Sequence, residues 1–158
     1  QTLVLKAEQF SPVIDSASIP TGEHAPVQGT PMDFTSEKAI GAEIEADFEQ
    51  LKLTGGYDHN FVLRSGGQSL ALAATVYEPS GGRVLEAMTT EPGAQLYTAN
   101  HLDGSIVGTG GVKYPRHAGF CLETQHYPDS VNEPHFPSVV LRPGQAFRST
   151  TVFRFSTR

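Results

Sequence analysis

An all-β protein, an antiparallel sandwich or barrel, is what the sequence predicts, and three observations carry the prediction. First, six short stretches after residue 56 combine β-branched and aromatic residues with period-two alternation: HNFVLR, SLALAATVYEP, RVLEAMTTE, AQLYTAN, AGFCLETQHYP and AFRSTTVFRFST. Second, turn sequences separate them, among them Gly66-Gly67, Pro79-Ser80-Gly81-Gly82, Glu91-Pro92-Gly93, Leu102-Asp103-Gly104 and Arg142-Pro143-Gly144. Third, only one stretch, SEKAIGAEIEADFEQLK, has a helical composition. Short strands repeated in this way bury their apolar faces by layering antiparallel sheets or by closing on themselves.

The elements follow in order. Leu3 and Leu5 alternate with polar or flexible neighbours, so TLVLKAEQF reads as one half-buried strand needing partners on its edges. Residues 11–33 contain Pro12, Pro20, Pro26 and Pro31, which forbid a long helix or a central strand and predict a winding loop with short extended pieces. Residues 36–52 are predicted as a short helix with Ser36 as N-cap, weakened by Gly41. SLALAATVY offers apolar groups to both faces, as a central strand does. In the last strand Phe147, Phe153 and Phe155 share one face, with Arg148 and Arg154 on the other.

Bulk composition limits the function. The 158 residues make one ordinary domain, with 17 acidic and 11 basic side chains and a net charge of −6. Nucleic acid is therefore not an expected partner, because no basic excess exists to neutralise phosphates. A membrane is not expected either, since no apolar run approaches the ~20 residues of a spanning helix. Cys121 is the single cysteine, which leaves no internal disulfide and favours a cytoplasmic location. The chain begins at Gln1 inside what reads as a strand, so residues 1–158 are expected to be the C-terminal portion of a single longer domain.

Four clusters carry polar chemistry. In GGYDHNFVL, Asp58, His59 and Asn60 stand at the mouth of an apolar strand, where turn formation is the plain alternative. In TEPGAQLYTANHLDG, Gln95 and Tyr97 project from one strand face, an amide for hydroxyls and a ring for the C–H face of a sugar, or else a surface strand with a packed tyrosine. In LETQHYPDS, Glu123 and Gln125 share a strand face, and a carboxylate held there accepts a proton from a substrate hydroxyl. NEPHFPSVVLRPGQAFRSTT reads as mainly structural. The six histidines include no close pair of metal-ligand spacing, so no metal is expected. No Gly-x-Ser-x-Gly elbow or Gly-rich phosphate loop is present.

Taken together, SPVIDSASIPTGEHAPVQGTPMDF, AIG, GGYDHNFVL, EPGAQLYTANHLDG and GFCLETQHYPDSVNEPHFPSVVLRPGQAFRSTTVFRF resemble, in order and over nearly the whole chain, the C-terminal half of the aldose 1-epimerase (galactose mutarotase) family. The resemblance implies a large antiparallel β-sandwich, the mutarotase-like supersandwich. It implies interconversion of the α and β anomers of free aldohexoses such as glucose and galactose, with no metal or organic cofactor. It implies Glu123 as general base, Asp58 and Gln95 as sugar-binding groups, and His59 as a residue that lines or buttresses the site. The family's general-acid histidine belongs to an earlier segment that this sequence does not contain. A polypeptide supplying the N-terminal half is therefore an expected partner.

Other readings remain at this stage. Asp58 and Glu123 would also serve as the carboxylate pair of a glycoside hydrolase. A non-catalytic carbohydrate-binding relative would account for the missing acid. The same scaffold recruited to a non-sugar ring opening is a further possibility, because fold does not fix function.

Overall fold

The computed structural model describes all residues, Gln1–Arg158. Ten strands form two five-stranded antiparallel sheets. They are β1 (Thr2–Leu5), β2 (Ala7–Phe10), β3 (Ala25–Pro26), β4 (Lys38–Ala39), β5 (Asp58–Leu63), β6 (Ala71–Glu78), β7 (Arg83–Thr89), β8 (Gly93–Tyr97), β9 (Cys121–Gln125) and β10 (Thr151–Thr157). The first sheet runs β10-β7-β6-β1-β4 and the second β3-β2-β5-β8-β9. The all-β prediction holds, and each of the six alternating stretches falls on one of the later strands, β5 to β10. The apolar SLALAATVY stretch becomes β6, between β7 and β1 as its two-sided pattern requires.

The opening segment is a correction. TLVLKAEQF forms two strands in different sheets rather than one. Lys6 is the crossing point: its N–H donates to Ala73 O within β6, β1's partner strand, 2.8 Å, and its carbonyl accepts from Arg64 N just past the end of β5, 2.9 Å. Leu3, Leu5, Ala7 and Phe10 all enter the core, which is why the chain can change sheets without exposing apolar surface.

The helix is a second correction. Residues 36–48 turn rather than wind, with Lys38–Ala39 pairing β1, and the only α-helix, α1, spans Glu49–Thr54. Ser36 caps nothing; the N-cap position is Phe48, whose side chain makes no cap bond. Ala42 N–H to Ala39 O and Ala46 N–H to Glu43 O close successive tight turns instead. Gly55, at φ 67°, ends α1 in the left-handed conformation that favours glycine. A 3-10 turn at Thr109–Gly111 completes the regular structure.

Between the sheets lies one core of 18 buried residues, including Leu3, Met32, Phe34, Tyr57, Phe61 and Leu96. Phe34 meets Tyr57 edge-on at 5.1 Å, and the Tyr57 hydroxyl donates to Pro31 O at 2.9 Å, so the winding loop is tied to the core. Arg142-Pro143-Gly144 makes the expected turn, with Gln145 N–H on Arg142 O at 3.0 Å.

The third correction concerns the terminal phenylalanines. Phe147 lies outside β10 and stands 6.2 Å from the His126 ring. Phe153 and Phe155 do share a face, and their partners Ala87 and Leu85 point to the core. Yet they are 49% and 76% exposed, so the inner side of the first sheet is uncovered at β10.

Candidate functional site

The second sheet brings three of the expected residues to one face. β8 lies between β5 and β9, with Asp58 opposite Tyr97, Asn60 opposite Gln95, and Gln95 opposite Glu123. Because side chains alternate along a strand, Asp58, Asn60, Gln95, Tyr97, Glu123 and Gln125 all project from the side facing away from the core. Phe61, Leu63, Ala94 and Leu96 take the other side and are buried. The Asp58-His59-Asn60 triplet is thus strand, not turn.

The polar face is wired by hydrogen bonds. Gln95 Nε2 donates to Asp58 Oδ1 at 2.8 Å. Gln125 Nε2 donates to Gln95 Oε1 at 3.1 Å and to Asn60 Oδ1 at 3.3 Å. Asn60 Nδ2 donates to Ser11 Oγ at 3.2 Å. Glu123 is exposed and its carboxylate is left free of partners within the chain. Partial desolvation and the Glu123 carboxylate two residues on push the Cys121 thiol up from its ordinary value.

His59 sits behind this face. It is 1% exposed and its ring meets Phe10 edge-on at 5.8 Å. Its Nδ1 accepts the Asp58 N–H at 3.2 Å. Burial pushes its pKa down to about 4, so it is a neutral imidazole holding the strand under Asp58.

A buried polar knot fixes where β5 begins and β8 ends. Asn100 Nδ2 donates to Thr54 O at 2.9 Å and to Tyr57 O at 3.0 Å, and its Oδ1 accepts from Thr98 Oγ1 at 2.7 Å. Gly56 passes so close that a Cβ there would lie 2.4 Å from Asn100 Oδ1. Asn100→Ala strands the Thr54 carbonyl in a site that is 9% exposed, while Tyr57 O keeps the Thr98 N–H and the Thr98 hydroxyl keeps Tyr57 O. We expect a loss of about 1–3 kcal/mol of folding stability in urea titration, the cost of one such unsatisfied group. The sequence reading missed Asn60, Asn100 and the contribution of Gln125. Asn60 stood in the same triplet and Gln125 on the same face as Glu123, which was the available signal.

The site is an open sheet face rather than a closed pocket. A cavity of about 890 Å³ lies elsewhere, walled by His126, residues 138–141 and residues 145–148, and containing none of Asp58, Gln95 or Glu123. Its wall is a segment exposed throughout, so the chemistry on the sheet is the better guide to function. No group of three His, Cys, Asp or Glu is placed to hold a metal ion. No helix is long and apolar enough to cross a membrane.

Comparison with known proteins agrees with the fold. The family model for aldose 1-epimerase matches residues 1–154. A galactose mutarotase of Homo sapiens is 47% identical over 154 residues, which are 98% of this chain and 43% of the relative. An aldose 1-epimerase of Escherichia coli is 37% identical over 155 residues, 97% of this chain and 44% of the relative. Among solved structures, a GalM/aldose epimerase homologue from C. elegans aligns with a TM-score of 0.80 and 28% identity, covering 99% of this chain and 45% of that one. A galactose 1-epimerase from Lactobacillus acidophilus aligns with a TM-score of 0.74 and 27% identity, covering 99% and 43%. The chain therefore spans less than half the length of the relatives it matches.

Proposed function

This chain belongs to the aldose 1-epimerase family, and from that premise we propose that it carries the base-bearing, sugar-holding face of an enzyme that interconverts the anomers of free aldohexoses. The observation that carries the reading is the register Asn60–Gln95–Glu123 across three strands, with Asp58 bonded to Gln95 on the same face. That face offers chiefly acceptors: two carboxylates and the Gln125 amide oxygen. Acceptors suit the hydroxyl donors of a neutral polyol and repel anions.

In this reading Glu123 takes the O1 proton of the ring form. The C1–O5 bond breaks, C1 becomes a carbonyl, and O5 receives a proton from a general acid. C1 rotates, and the same steps in reverse close the ring on the other face. Atoms and charges balance with no metal or cofactor. Asp58 and Gln95 hold the sugar hydroxyls, and His59 buttresses Asp58 from the core side. Both carboxylates rise from one sheet face, as a base and a holding group do. A glycoside hydrolase needs its pair flanking one bond.

The general acid is proposed to be a histidine from a polypeptide corresponding to the rest of the relatives' length. Two observations support that partner. The chain covers 43–44% of the relatives. The core side of β10 stands open at Phe153 and Phe155, apolar surface that a further layer would bury.

Polarimetry on freshly dissolved α-D-glucose and α-D-galactose tests the reading. Acceleration is expected when this chain is joined with the rest of its protein, and not from residues 1–158 alone. No acceleration in either form would overturn it in favour of a binding relative or another substrate.

A further inference from the structure

We propose that Gln125 is a positioning residue that, together with Asp58, fixes the direction of the hydrogen bonds on the polar face, and so holds Gln95 in the orientation that meets the sugar. The idea rests on the function proposed above only for what the oriented amide is used for; the orientation itself stands on geometry.

A charged carboxylate only accepts, so the atom of Gln95 at 2.8 Å from Asp58 Oδ1 must be the amide nitrogen. The Gln95 oxygen is then turned toward β9, where it requires a donor. Gln125 Nε2 is that donor, at 3.1 Å, and its second hydrogen reaches Asn60 Oδ1 at 3.3 Å. Asn60 is 2% exposed, so its orientation is forced in turn, and its Nδ2 donates to Ser11 Oγ at 3.2 Å. One polarity runs through the network, and Gln125 is the member that donates twice. Both hydrogens of Gln125 are spent inside it. One N–H of Gln95, the second oxygen of Asp58 and the oxygen of Gln125 are left without a partner in the network.

Reversing the polarity is the test. Gln125→Glu keeps the shape but removes both donors, placing acceptor against acceptor at Gln95 and Asn60. Asp58→Asn frees Gln95 to turn over, accept from the new amide and donate to the new carboxylate. In the complete protein, urea midpoints are measured for the wild type, both single variants and the double variant, in 1 M NaCl. There the screening length is about 3 Å, so simple repulsion between Asp58 and the introduced carboxylate is suppressed. We expect Gln125→Glu to lower the midpoint and Asp58→Asn to recover more than half of that loss, which is strong coupling rather than additivity. Additive effects would overturn the proposal.

A functional readout separates positioning from mere packing. Gln125→Lys supplies donors and should hold KM within about threefold. Gln125→Met, which supplies none, should raise KM about tenfold with a smaller change in kcat. Equal behaviour of Lys and Met would sink the role. If the wild type itself moves no sugar anomer, the function falls but the stability cycle still decides the polarity.

Discussion

Glu123→Gln is expected to lower the kcat of mutarotation by about 10²–10⁴-fold, the usual contribution of a placed general base, while KM stays within about tenfold. The substitution is nearly isosteric. It leaves an oxygen to accept from a sugar hydroxyl, so ground-state contacts survive. What it removes is the ability to take the O1 proton, an interaction realised only as the ring opens. The position makes the change informative. Glu123 is exposed on β9, opposite Gln95 and not engaged by the Asp58–Gln95–Gln125–Asn60 network, so no structural bond is broken with it. Asp58→Ala is the contrasting case. It removes the carboxylate that Gln95 donates to, so KM should rise and kcat/KM fall together, by about 10–100-fold. Polarimetric kinetics on the complete protein distinguish the two. Near-normal turnover in Glu123→Gln would remove it from the role of base, and unchanged kinetics in Asp58→Ala would leave Asp58 a structural strand residue.

The strands were legible because each carries its own local record. HNFVLR, RVLEAMTTE and AQLYTAN alternate with period two and end in glycine or proline turns, and they are β5, β7 and β8 almost to the residue. The break at Lys6 left no such record. Leu3, Leu5 and Ala7 keep one unbroken alternation, while the change of sheet is a change of hydrogen-bond partners, which periodicity does not register. Residues 36–52 misled for the opposite reason. Ile40, Ile44 and Phe48 are spaced as on a helix, but Ile40 is drawn into the core beside β4 while Gly41 loosens the backbone, and tight turns win. In the site, Asp58, Gln95 and Glu123 were each readable from their own words. Their meeting was not, because it depends on β8 lying between β5 and β9 in a particular register. Gln125 was read as sharing Glu123's face, yet its donor role follows only from the partners that the register gives it.

The pH dependence of stability should carry the signature of His59. In the native state burial holds its pKa at about 4, against an ordinary value of 6.5 in the unfolded chain. Above pH 6.5 the imidazole is neutral in both states and its contribution is fully present. As pH falls, the unfolded chain binds the proton first, so the native state loses ground by about 1.4 kcal/mol per pH unit until pH about 4. The total is about 3 kcal/mol. The local geometry explains the resistance to protonation: Nδ1 already accepts the Asp58 N–H, and adding a proton there would set two N–H groups against each other. His24, lowered by burial and then by the charge of His135, titrates in the same sense, so the wild-type curve alone is not specific. His59→Leu supplies the specificity. It keeps an apolar group against Phe10 and removes the titration, while His24 remains. Urea midpoints at pH 7, 6, 5 and 4.5 should therefore fall more steeply in the wild type than in the variant, whatever the absolute stability of the latter. Parallel curves would mean that His59 charges freely in the folded state. The neutral imidazole braced beneath Asp58 would then have to be given up, and with it the account of how that end of β5 is held under the proposed sugar-binding face.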